Sequence, residues 1–146
     1  MRVATPTEAK QIRVLLTSRD AVYARFLAER LVAEGMLVVR PEQPALGTVL
    51  DLDASAIDVV LVETHGLDDA AWAVVELVRE RAPLIEIIAI SSEPMVDSAV
   101  EALRNGVFSI LTYPVTDGQL VNEITRACAR KRHGEARLKA TERRTS

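Results

Sequence analysis

Glu63 is the residue best placed to do chemistry. It stands directly after the apolar run Val59, Val60, Leu61 and Val62. That run suits a strand buried on both faces of a parallel sheet and is far too short for a membrane span. A carboxylate there meets the strand's carboxyl edge, where open α/β folds place their sites. Asp20 follows another apolar stretch, 12–16, and no other acidic residue does. Glu63 and Asp20 are therefore the candidates for a magnesium ion, which binds anionic oxygens. Asp68 and Asp69 lie farther round the loop after Glu63. Ser91 or Ser92, with His65 as base, would supply a nucleophile and its activator. Neither serine sits in a nucleophile-elbow pattern.

Other chemistries fail on residue type. The turn Thr17, Ser18, Arg19, Asp20 has no glycine to let the backbone close around a phosphate. Cys128, His65 and His133 are the only thiol and imidazoles, and they are spread along the chain. They are too few and too scattered for zinc. The expectation is no catalytic residue, no metal and no cofactor.

Periodicity supplies the elements that would position these residues. IRVLL (12–16), MLVV (36–39), the run ending at Val62, IEIIAI (85–90) and VFSIL (107–111) read as five strands. Residues 21–34 repeat apolar positions at helical spacing, with Val22, Phe26, Leu27, Leu31 and Val32 on the inward stripe. Gly35 closes that helix. A short helix over 45–50 is expected in the crossover to the central strand. The spacing predicts a helix over 70–81, turning Trp72, Val75, Leu77 and Val78 inward and stopped by Pro83. Another covers 96–104, closed by Asn105 and Gly106. Glu86, near the start of its strand, is expected within reach of solvent. Thr116 caps the last helix, and Gln119 three residues on completes a capping box. Leu120, Ile124 and Ala127 form its apolar side. Strands alternating with helices in this way make a doubly wound α/β domain with a five-stranded parallel sheet.

The chain has 146 residues, 49% of them hydrophobic, enough for one well-filled core. The expected division is a flexible leader over 1–11, the domain over 12–130, and a basic tail or linker to an output domain over 131–146. A single cysteine excludes an internal disulfide framework. With no signal segment and no long apolar span, the expected location is cytoplasmic. The net charge of −3 is uneven: residues 126–146 hold 8 basic and 2 acidic side chains, and the rest hold 10 basic and 19 acidic. Such a tail suits nucleic acid or an acidic partner, or is a solvated helix end. It lacks the interleaved aromatics of a base-stacking surface.

Taken together, the strand ends resemble the receiver domain of bacterial two-component response regulators, over about 12–129. That family phosphorylates an aspartate at the end of the third strand. Two acidic residues after the first strand hold magnesium. A hydroxyl residue after the fourth strand and a lysine after the fifth read the phosphoryl group, and a cis-proline commonly follows the lysine. Here DVVLVE (58–63) puts Glu63 at the acceptor position. VLLTSRD (14–20) puts Ser18 and Arg19 at the acidic pair, with Asp20 just beyond. IIAISS (87–92) puts Ser91 at the hydroxyl position, and NGVFSILTYP (105–114) puts Tyr113 at the lysine position and keeps Pro114.

The resemblance implies a flavodoxin-like receiver topology. Its departures imply a degenerate pocket formed by Glu63, Ser18, Arg19, Asp20, Ser91, Tyr113 and Pro114. Ser18 supplies no anion for magnesium and Arg19 supplies a competing cation. Glutamate's extra methylene displaces the carboxylate from in-line transfer, and Tyr113 carries no charge to pair with phosphate. Phosphorylation by the usual route is therefore not expected. Two outcomes stay open for Glu63: an ion pair with Arg19 that fixes one signalling state, or a solvated carboxylate at a strand end. Tyr113 either couples to the face formed by the fourth helix, fifth strand and fifth helix or is a ring covering the sheet edge.

The implied function is a non-enzymatic regulatory module. It acts by phosphorylation-independent contact with a protein partner or output domain, or by homodimerisation through that same face. The alternative is the receiver part of a transcription regulator or RNA-binding antiterminator whose output domain is missing. Nucleic-acid contact would then be confined to the tail or that domain. A receiver phosphorylated on Glu63 is the remaining reading.

Overall fold

A computed structural model describes residues 11–40, 53–64, 68–92 and 99–145. The expected leader over 1–10, the helix over 45–50, His65 and the start of the helix at 96–98 lie outside the described residues.

Alternation along the strands decides which way the sheet is covered. Val14, Leu16, Val59, Leu61, Ile88 and Ile90 share one face with the inward residues of two helices. Leu15, Val60, Val62, Ile87 and Ala89 share the other. This is the period of two that a strand imposes on its side chains. The strands are β1 (Arg13–Thr17), β2 (Leu37–Val39), β3 (Val59–Thr64), β4 (Glu86–Ser91) and β5 (Val107–Thr112). They pair in parallel in the order β2-β1-β3-β4-β5. The helices are α1 (Ala21–Ala33), α2 (Asp69–Arg81), α3 (Ala99–Arg104) and α4 (Asp117–Thr145), with a 3-10 turn at Ala54–Ala56 before β3. Helices α1 and α4 cover the first face, and α2 and α3 cover the second. This is the doubly wound topology that the strand–helix alternation implies, in the flavodoxin-like strand order that the resemblance implies.

Most strands run one or two residues beyond the expected ends, so Glu63 is the penultimate residue of β3 rather than the one after it. The Thr116 cap is in place: Gln119 N donates to Thr116 Oγ1 at 3.1 Å, and Thr116 N donates to Gln119 Oε1 at 2.9 Å.

Two expectations need correction. Glu86 is buried at the start of β4, not solvated, and its carboxyl is pushed up by that burial against the pull of Arg130 and Arg79. In α1, Val22, Phe26 and Val32 are exposed. The sheet is met instead by Ala24, Leu27, Ala28 and Leu31, spaced i, i+3, i+4, i+7. The small Ala24 and Ala28 let the helix lie close on that side, which turns the bulkier Val22 and Phe26 outward.

A buried ion cluster ties α4 to the sheet at the edge opposite the strand ends. Asp58, just before β3, is fully buried. Its carboxylate accepts from Arg13 N at 2.9 Å and from the Arg13 guanidinium at 3.1 Å. Lys131 Nζ lies 3.3 Å away and Arg132 Nη2 3.2 Å away. Burial pushes the Asp58 carboxyl up, but the Arg13 hydrogen bonds and the charges of Arg132 and Lys131 prevail and bring it to about 2. Lys131 is itself buried and also meets Glu135 at 3.1 Å. From Ala136 to Arg144 every residue of α4 is exposed. The helix thus continues unbroken through 131 and leaves the body one turn after this anchor.

A closed carboxylate pocket at the strand ends

Register brings the strand ends to one level. Thr64 of β3 lies beside Ser91 of β4, and Ser91 beside Thr112 of β5. Glu63 shares the parity of Val59 and Leu61, so it points toward the α1 and α4 side. There it is buried, at 7% exposure.

Glu63 is held by Ser18. The Ser18 hydroxyl donates to Glu63 Oε2 in a short hydrogen bond and accepts from Asp20 N at 3.0 Å. This bridges the β1–α1 turn to the end of β3. Arg19 does not join them. Its guanidinium is largely exposed and meets Asp68 at 3.0 Å. Neither expected outcome for Glu63 occurs: it is not paired with Arg19, and it is not solvated. The reason is alternation along the turn, which sends consecutive side chains to opposite sides, so Ser18 faces in and Arg19 out. Asp68 also caps α2, accepting from Ala71 N at 2.9 Å, which with Arg19 holds its carboxyl below the ordinary range.

Asp20 has a structural task. It is the N-cap of α1 and accepts from Tyr23 N at 3.0 Å, a common use of aspartate at a helix start. The residues present do not fit magnesium: Asp20 caps a helix, Ser18 is a neutral donor, and Arg19 is a cation. Among the described residues no group of three or more histidine, cysteine, aspartate or glutamate side chains converges on a metal position.

Tyr113 follows β5, with its backbone N–H donating to Ser91 O at 2.9 Å and a cis bond to Pro114. Its ring meets Tyr23 of α1 edge-to-face, with centroids 4.9 Å apart. The Tyr113 hydroxyl is buried, with the Tyr23 phenol as its polar neighbour and no well-formed hydrogen bond to it among the described residues. Burial pushes this phenol up, with Tyr23, Glu63 and Asp20 adding to the effect. Burial likewise raises Tyr23, with Glu63 contributing. Both rings are neutral phenols within the field of the Glu63 carboxylate. Ser91 is fully buried at the end of β4, where its carbonyl accepts from Tyr113 N.

The pocket thus brings together Glu63, Ser18 and Tyr113, with Ser91 and Pro114 at its edge. Asp20 is turned to the helix start and Arg19 to the α2 cap. Sequence reasoning missed Tyr23, Asp68 and the Asp58 cluster. An aromatic residue three places after a helix cap, and a carboxylate directly before a buried strand, were the available signals.

No protein-family model matches the chain. Over 120 residues it is 28% identical to an NtrX-like response regulator of Rickettsia conorii, covering 81% of this chain and 25% of that protein. It is 31% identical over 118 residues to the alginate biosynthesis transcriptional regulatory protein AlgB of Pseudomonas aeruginosa, covering 78% and 25% respectively. The chain therefore spans about a quarter of the length of the curated relatives it matches. A response regulator receiver domain from Clostridium thermocellum superimposes with a TM-score of 0.74 at 20% identity, covering 83% of this chain and 97% of that one. No helix among the described residues is long and apolar enough to cross a membrane. In sequence and in fold, the chain is similar to response-regulator receiver domains.

Proposed function

We propose that this chain is a pseudo-receiver: a receiver-like signalling module that acts by protein contact without being phosphorylated. The observation that carries this reading is the internally closed pocket. Glu63 is buried and hydrogen-bonded to Ser18, Arg19 is engaged with Asp68, and Tyr113 fills the place of a phosphate-reading lysine. A phosphoryl group would have to displace the Ser18 bond with no metal or lysine to neutralise it. The contact surface in this reading is formed by α3, β5 and α4, the fourth helix, fifth strand and fifth helix when the expected helix over 45–50 is counted. Val100 and Leu103 are exposed there, and Phe108 lies under the guanidinium groups of Arg126 and Arg130 at 5.7 and 5.8 Å. Aromatic and arginine side chains of this kind are enriched where proteins bind one another. The partner is an output domain, attached or separate.

Intact-mass measurement after incubation with a small phosphodonor and magnesium tests the reading. The expected spectrum is unmodified protein. A stoichiometric phosphoryl adduct on Glu63 would overturn it.

A second reading is favoured by α4, which leaves the body as a basic helix, and by relatives that are transcriptional regulators much longer than this chain. The chain would then be the receiver part of such a regulator. Salt-dependent RNA binding by the 146-residue chain would support direct contact by the helix. No binding at low salt would exclude it.

A further inference from the structure

Helix α1 has two apolar faces, and the core uses only one. Val22 is 82% exposed and Phe26 51% exposed, one turn apart on the outer side. Beside them, between α1 and the start of α4, lies a groove of about 260 Å³. Its floor is buried Leu27, Ile90 and Leu120, and Phe26 itself forms one wall beside Tyr23, Arg30 and Asp117. A projection and a hollow thus sit next to each other on one surface.

The charges around them have both signs. Arg25 pairs with Glu29 at 3.2 Å. Arg30 grips Asp117 with two parallel hydrogen bonds, one of 2.6 Å, and its guanidinium lies 4.9 Å from the Phe26 ring centre. These four side chains sum to zero on a body whose residues 1–125 hold 10 basic and 19 acidic side chains. A partner of strong single charge would be matched by a surface of the opposite sign. A neutral patch with mixed charges beside its own hollow is instead complementary to itself. It is also where two copies of an acidic body approach with little repulsion.

We propose that this α1 surface is a homotypic interface, with two copies of the chain meeting about a two-fold axis. Val22 and Phe26 of one copy cover the groove of the other, and the same contact is made in reverse, as an isologous interface requires. This interface centres on α1 rather than on α3 and β5, and it adjoins the Glu63 pocket through Tyr23, whose ring packs on Tyr113.

Sedimentation velocity on the full 146-residue chain, from about 10 to about 300 μM, tests it across the range where weak dimers form. The wild type is expected to pass from monomer to dimer. Val22→Glu and Phe26→Gln, both at exposed positions, are expected to weaken association by at least about tenfold, while circular dichroism shows an unchanged fold. Val100→Glu on α3 is expected to leave association as in the wild type. A monomer throughout the range would overturn the proposal. So would a dimer indifferent to Val22 and Phe26, or one abolished by Val100→Glu.

Discussion

Replacing Asp58 by Asn tests the claim that a buried ion cluster fixes α4 to the sheet. Asparagine keeps the shape and can still accept from Arg13 N, so the change removes charge and little else. Asp58 is at about 2 in the fold against an ordinary 3.8, a difference equivalent to about 2.5 kcal/mol. The cost of the substitution exceeds this, because Lys131 is 2% exposed and loses its buried counter-charge, keeping only the partly exposed Glu135. Breaking a buried pair by removing one partner typically costs about 3–5 kcal/mol. Against a total stability of about 5–15 kcal/mol, that is a large share. The melting temperature of a domain this size should fall by about 10 °C.

The pH dependence carries a second signature of the same cluster. The folded Asp58 carboxyl lies below its unfolded value, so its contribution is fully present above 3.8 and is lost as pH falls through about 2. Urea unfolding followed by circular dichroism at pH 7, 5, 4 and 3 measures both effects. The gap between wild type and Asp58→Asn should be widest at neutral pH and should begin to narrow below pH 4. A gap under about 1 kcal/mol at pH 7 would refute the cluster's role, as would a gap that stays constant to pH 3. Lys131→Met should cost less than Asp58→Asn, because Arg13 and Arg132 still satisfy the carboxylate.

Other substitutions separate the parts of the strand-end pocket. Ser18→Ala leaves the buried Glu63 without its hydroxyl donor, and urea unfolding should show a loss of about 1–3 kcal/mol. Tyr113→Phe removes a buried hydroxyl with no well-formed hydrogen bond among the described residues. It should be neutral or stabilising by up to about 1 kcal/mol in the same assay, whereas Tyr113→Ala, which also empties the space beside Tyr23, should cost about 3 kcal/mol or more. Gly35 and Gly106 both have positive φ, at +88° and +90°. Gly106→Ala should be the more damaging in thermal melts, because its new Cβ would meet Arg79 Cδ at 2.8 Å while nothing lies within 4 Å at Gly35.

Much of the fold was legible because its signals are local. Five short apolar runs, helical spacing between them, the Thr116–Gln119 capping box and the left-handed Gly35 and Gly106 each report on a few neighbouring residues. The strand ends were legible too, since a parallel sheet brings its carboxyl edges to one side. That places Glu63, Ser18, Ser91 and Tyr113 in one region from the sequence alone. What failed was direction. In α1 the apolar residues at 22, 26, 27, 31 and 32 read as one stripe, but the close approach permitted by Ala24 and Ala28 left 22, 26 and 32 outside. At the turn after β1, the charge of Arg19 made it the expected partner for Glu63. The orientation of that turn chose Ser18, and the cap of α2 captured Arg19.

The sequence by itself therefore determined the layer order, the residue types at the strand ends, and the loss of the charges that receiver chemistry requires. The first two follow from residue order and periodicity, which need no long-range contact to read, and the third from the resemblance to receiver domains. Only the tertiary structure decided that Glu63 is buried and closed off by Ser18, that Tyr113 packs on Tyr23, and that Asp58 gathers Arg13, Lys131 and Arg132 from positions up to 74 residues away. Each of those depends on how helices sit on the sheet, and no local pattern in the chain encodes which of several nearby partners a side chain will meet.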